Sequence, residues 1–108
     1  RDLEERIAEP FRRRHRAVQA LLARRGLPVV PSSGAMYLML DIRATGLSGE
    51  DFARRLLDEH HIAVMPGESF GQAAAGHLRV ALTIGDDRLF EAIETLADLY
   101  DQLTEAAA

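Results

Sequence analysis

The sequence predicts an α+β fold: a small mixed or antiparallel sheet of about three strands, covered on one face by helices. Three observations lead there. Apolar residues recur at helical spacing in three stretches, near residues 2–25, 49–60 and 86–104. Between them lie short apolar runs bounded by glycine and proline, which read as strands. The resulting order is helix, strand, helix, strand, strand, helix. Helices gathered on one side leave the other sheet face free to meet something else. A chain of 108 residues fits a single domain and can bury a modest core.

Residues 2–25 read as a helix, with Leu3, Ile7, Phe11, Val18, Leu21 and Leu22 near one face. Pro10 interrupts the pattern and should either kink that helix or start a second one at its first turn. Gly26 is the stop. Residues 27–30 form a short extended segment, and Pro31-Ser32-Ser33-Gly34 is a turn. Residues 35–42 make the best strand, apolar on both faces, and residues 43–46 end it. Ser48 is an N-cap for a helix over 49–60, with Glu50 and Asp51 near the positive end of the helix dipole. Phe52, Ala53, Leu56 and Leu57 supply its buried stripe. Residues 62–65 are a short strand closed by Pro66-Gly67, and residues 78–84 are another. Asp86 or Asp87 caps the last helix, in which Leu89, Ile93, Leu96, Leu99, Tyr100 and Leu103 recur to about residue 104.

Composition narrows the function. An apolar fraction of 47% with 28% charged residues belongs to an ordinary soluble globular protein. No apolar run approaches the ~20 residues of a membrane span, and no leader pattern is present, so a cytoplasmic location is expected. The chain opens on Arg1 rather than methionine, which implies further sequence upstream. The absence of cysteine excludes disulfides and thiolate metal sites, and a net charge of −4 argues against nucleic-acid affinity. Arg12-Arg13-Arg14-His15-Arg16 spreads over a full helical turn and makes no basic stripe. His60 and His61 are adjacent and point apart on a helix, so they do not make a metal pair. Gly67, Gly71 and Gly76 are spaced too loosely for a dinucleotide fingerprint and precede a strand, not a helix, so no cofactor-binding residue is assigned to them.

Arg79 is the candidate for chemistry. It lies in the run His77-Leu78-Arg79-Val80-Ala81-Leu82-Thr83, where period two sets Leu78, Val80, Leu82 and Ile84 on one face. His77, Arg79, Ala81 and Thr83 fall on the other, which places Arg79 among small residues with room for a ligand. An arginine so placed needs an anion, and its planar fork suits a carboxylate through two parallel hydrogen bonds of roughly 1.5–3 kcal/mol each. On residue type alone, an ion pair with one of the chain's own 17 acids is favoured.

Upstream of that arginine stands Pro66-Gly67-Glu68-Ser69-Phe70-Gly71, then the glycine-containing loop 72–76. Turn, loop and Leu78-Arg79 together resemble the C-terminal small domain of class I/II aminotransferases, the fold-type I enzymes that use pyridoxal phosphate. Pro31-Ser32-Ser33-Gly34-Ala35-Met36-Tyr37-Leu38 is similar to the entry of that domain's first strand. His61-Ile62-Ala63-Val64-Met65 is similar to the strand before the Pro-Gly turn. The resemblance spans roughly residues 11–103 and reverses the odds at Arg79.

It implies that Arg79 binds the α-carboxylate of an amino-acid or 2-oxo-acid substrate. It also implies a substrate contact at Tyr37, although Met36-Tyr37 stands where many members have two aromatics. A boundary tyrosine with a locally bonded hydroxyl remains the alternative there. Further implications are transamination, a separate large domain holding pyridoxal phosphate, and a homodimeric intact enzyme without metal. All 13 basic residues are arginine, so the Schiff-base lysine must lie outside this chain, which alone is expected to be inactive and to hold no catalytic residue. The alternative from another class is an aminotransferase-like effector domain of a bacterial transcription regulator, which commonly loses the turn and its arginine.

Overall fold

The first helix continues through Pro10 without a break. In a computed structural model that describes residues 2–31, 36–83 and 85–108, α1 spans Asp2–Arg24 with the proline inside it. Neither a second helix nor a fresh start occurs at Pro10, which simply contributes no N–H to the ladder. Gly26 ends α1 in a left-handed conformation, φ 73°. Its N–H reaches the Ala23 carbonyl at 3.1 Å while that of Leu27 reaches Leu22 at 3.0 Å, the paired bonds of a Schellman stop.

The sheet has four strands, β1 (Val29–Val30), β2 (Tyr37–Asp41), β3 (Met65–Pro66) and β4 (His77–Ala81), in spatial order β1-β2-β4-β3. Every neighbouring pair is antiparallel, so the mixed alternative falls away. The fourth strand comes from the 27–30 segment, where Val29 pairs with Leu40 and Val30 with Met39. β3 lies later than residues 62–65, because only Met65 and Pro66 find partners, Arg79 and Leu78. As an edge strand it tolerates the proline. β2 and β4 are shorter than expected, though Leu82 N–H still donates to the Met36 carbonyl at 2.8 Å. The expected turn at Ser32-Ser33-Gly34, the strand residue Ala35 and Ile84 lie outside the described residues, as does the Ile7 side chain.

The helices α1, α2 (Gly49–His60) and α3 (Asp86–Ala107) pack on one sheet face. Val18 and Leu22 of α1, Phe52 and Leu56 of α2, and Leu89, Ile93 and Leu96 of α3 meet Leu38, Leu40, Leu78 and Val80 of the sheet, all of them buried. Each such side chain contributes about 1.5–3 kcal/mol. Two expected core residues are not buried: Leu3 is 64% exposed and Leu57 is 52% exposed. Leu57 is turned about 100° from Leu56 and so leaves the Phe52–Leu56 stripe. Leu3 belongs to the first turn of α1, away from the core cluster.

Helix ends follow local chemistry. Ser48 caps α2 as expected, its Oγ accepting the Asp51 N–H at 3.0 Å. At α3 the cap is Gly85, not Asp86 or Asp87, which occupy the first turn instead. Asp86 is there engaged by Arg14 of α1, Nε to Oδ1 at 2.6 Å. Arg25 then joins α1 to α3 through Glu94, Asp98 and Asp101 at 2.7, 2.6 and 2.9 Å. Those acids, spaced four and three apart, share one helix face.

Candidate functional site

β4 is an inner strand, flanked by β2 and β3, and its alternation sends Leu78 and Val80 into the core. Arg79 emerges on the helix-free face, opposite Met39 on one side and Met65 on the other. Its guanidinium carbon stands 3.7 Å from the centroid of the Tyr37 ring and 4.8 Å from that of Phe70. These are cation–π distances. Arg79 therefore has small Ala81 as a strand neighbour, but aromatic and methionine neighbours across the sheet. Among the described residues no carboxylate forms an ion pair with it.

Asp41 lies on the same face but is already committed. Arg43 returns to it through its backbone N–H and Nε, each at 3.0 Å to Oδ1, and through a terminal nitrogen at 2.8 Å to Oδ2. The hydrogen bonds from Arg43 hold the Asp41 carboxyl down to about 2. His77, opposite Asp41 in the register, donates from Nδ1 to the Ala75 carbonyl at 2.9 Å.

The Pro66-Gly67-Glu68-Ser69-Phe70-Gly71 stretch folds as a 3-10 turn, Gly67–Phe70, followed by a second one, Gln72–Ala74. The first turn carries Phe70 to Arg79. Glu68 turns the other way: its Oε2 accepts the N–H of Gly49 and the N–H of Gly76, each at 3.0 Å. The Gly76 bond leads the effects that lower the Glu68 pKa, against an opposing desolvation. The carboxylate is thus ionised and fills the place an external anion would need among these amides.

Tyr37, Ala63, Val64, Met65, Arg79 and Ala81 line a cleft of about 340 Å³ on this face. That volume suits a small molecule. Tyr37 and Met65, which line it, are 38% and 50% exposed, and Phe70, beside Arg79, is 44% exposed.

The sequence pattern of the family "Aminotransferase class I and II" matches residues 1–96. The chain belongs to the class I and II aminotransferases. It is 46% identical over 86 residues to the arginine–pyruvate transaminase AruH of Pseudomonas aeruginosa, covering 80% of this chain and 22% of that protein. It is 34% identical over 92 residues to aromatic-amino-acid aminotransferase 2 of Thermococcus litoralis, covering 85% of this chain and 24% of that one. The crystal structure of the aromatic aminotransferase from Pyrococcus horikoshii superposes with a TM-score of 0.78 at 33% identity, over 91% of this chain and 26% of its own. The aspartate aminotransferase of Thermus thermophilus with maleate gives 0.73 at 34% identity, over 84% and 23%. This aminotransferase-family chain therefore spans about a quarter of the length of such relatives.

The family implies pyridoxal phosphate, and the residues of this chain do not fit it. There is no lysine to link it. The amides of Gly49 and Gly76 that could meet a phosphate are taken by Glu68. The other sequence candidates are placed elsewhere: His61 closes α2 in a left-handed conformation, φ 58°. No group of three or more potential metal ligands occurs among the described residues. Arg12, Arg13 and Arg16 converge on Glu9 within 3.4–3.8 Å. No described helix is long and apolar enough to cross a membrane.

Arg79 and Tyr37, both singled out from sequence, come together. Missed were Glu68, the Asp41–Arg43 pair and the stacking role of Phe70. The last had a signal, since Phe70 sits in the recognised turn; Glu68 had none, because its partners Gly49 and Gly76 are distant in sequence.

Proposed function

We propose that this chain is the C-terminal small domain of a pyridoxal-phosphate-dependent aminotransferase that moves an amino group between an L-amino acid and a 2-oxo acid. Arg79 is the clamp for the substrate's α-carboxylate. One observation carries this reading: Arg79 lines an open cleft, in cation–π contact with Tyr37 and Phe70, with no paired acid among the described residues. The relatives are named for different amino acids, from arginine to aromatic residues, and an α-carboxylate is what such substrates share.

The chain's own residues bind and orient. A guanidinium stacked on the Tyr37 ring, with the Phe70 ring also in reach, is restrained in its plane, so its N–H pair is set for the two oxygens of a carboxylate. The apolar residues lining the cleft displace water and strengthen that pairing. Fixing the carboxylate fixes the rest of a small substrate, the share of catalysis that comes from orientation. Pyridoxal phosphate would be held by a separate large domain carrying its lysine, and would supply the electron sink there. By the same family likeness the intact protein is a homodimer.

The test is the visible spectrum of the full-length protein with pyridoxal phosphate. A cofactor band that changes on adding an L-amino acid and returns with a 2-oxo acid supports transamination. A band indifferent to every amino acid points to the regulator, and a folded protein that binds no cofactor overturns the proposal.

A further inference from the structure

Glu68 is a carboxylate without an external task. It sits in the 3-10 turn Gly67–Phe70, two residues before the ring that faces Arg79. Its Oε2 receives one bond from the first residue of α2, Gly49, and one from Gly76, three residues before Arg79. Three segments thus meet on one oxygen: the start of α2, the turn with Phe70, and the lead-in to β4. The junction is tight. A Cβ on Gly49 would stand 2.5 Å from Glu68 Oε1 and collide with the His77 carbonyl. Ser48 already caps α2 through the Asp51 amide, so the Glu68 bond to Gly49 is an addition from a distant part of the chain.

We propose that Glu68 is a positioning residue for the Arg79 clamp, its carboxylate tying the Phe70 turn and the β4 lead-in to α2 so that ring and guanidinium keep their contact. This rests on reading Arg79 as the carboxylate clamp. Without the tie, the Phe70 turn is held to β4 through the short β3 pairing alone, and the Phe70 ring is less firmly kept against Arg79. The ionised state of Glu68 suits an acceptor of two amide bonds.

The experiment compares Glu68→Ala, Glu68→Gln and Arg79→Lys in the full-length protein. Both bonds end on one oxygen, so a glutamine carbonyl can keep them whereas alanine cannot. We expect Glu68→Ala to raise KM for the amino acid and the 2-oxo acid about tenfold with kcat within about twofold, and Glu68→Gln to recover most of that loss. Amide exchange at Gly49 and Gly76 should quicken in Glu68→Ala and stay unchanged in Arg79→Lys. If Glu68→Ala does not fold, Glu68→Asp, one methylene shorter, takes its place. An unchanged KM at Glu68 alongside a raised KM in Arg79→Lys overturns the proposal, as does a fall in kcat with KM unaltered. An unchanged KM in Arg79→Lys instead removes the clamp reading on which it rests.

Discussion

The Tyr37 ring and the Arg79 guanidinium lie in face contact across β2 and β4, 3.7 Å from carbon to centroid. They are diagonal neighbours, since Tyr37 pairs directly with Ala81 and Arg79 with Met39. The contact is made by the ring rather than by the hydroxyl. Tyr37→Phe should therefore leave KM for the amino acid within about twofold, whereas Tyr37→Leu should raise it several-fold, the loss of a cation–π contact of ~1 kcal/mol. A large effect from Tyr37→Phe would instead assign the hydroxyl to the substrate.

Arg79→Lys keeps the charge and discards the fork. In the full-length protein kcat/KM should fall by roughly 30–150-fold, equivalent to about 2–3 kcal/mol for the lost charge-assisted bond and stacking. Steady-state kinetics with an amino acid and with the matching amine, which lacks the carboxylate, separates the two roles. The variant should be impaired toward the acid and little changed toward the amine.

Two glycines should respond differently to alanine. At Gly49 the new Cβ meets the His77 carbonyl and Glu68, so Gly49→Ala should cost about 2–3 kcal/mol by crowding. At Gly26 nothing lies within 4 Å, and only the positive φ of 73° is at stake. There Gly26→Ala should cost about 1 kcal/mol, and Gly26→Asn less. Urea midpoints of the three variants measure the ordering.

Acid should destabilise the fold through Asp41. Its pKa is lowered from the ordinary 3.8 to about 2, first by the Arg43 hydrogen bond. A depressed folded-state pKa means the unfolded chain takes up the proton first. The contribution is complete above the ordinary value and is lost as pH falls through the folded one. Glu68, lowered as well, acts in the same direction. Arg43→Ala should flatten the decline between these two values, which urea midpoints across that window would show.

The helices were legible because their signals are local. Ser48, three residues from the Asp51 amide it accepts, could be assigned from spacing alone. Arg79 was legible for a similar reason: period two put it opposite the apolar set, and the Pro-Gly turn stood close upstream. What could not be read depends on contacts between distant segments. Val29–Val30 is a strand only because Leu40 and Met39 lie beside it. Leu57 has the chemistry of a core residue and lacks only a neighbour to cover it. Arg79 was expected to choose between an internal acid and a ligand, and the acid nearest in register, Asp41, is bound to Arg43 instead.

An arginine on an inner strand, its backbone paired on both sides and its guanidinium against two rings, has little slack of its own. Surface arginines reach for their ions by swinging a long side chain, and their grip is forgiving of distance. If Arg79 is the carboxylate clamp, following a displaced ligand by rotating the side chain means giving up its ring contacts, so the sheet and the three helices behind it set where the ligand must stand. Affinity for a carboxylate would then gauge where this whole body stands relative to its surroundings, and a lesion far from the cleft, on the Arg25 bridge between α1 and α3 for instance, could weaken binding without touching any group that meets the ligand.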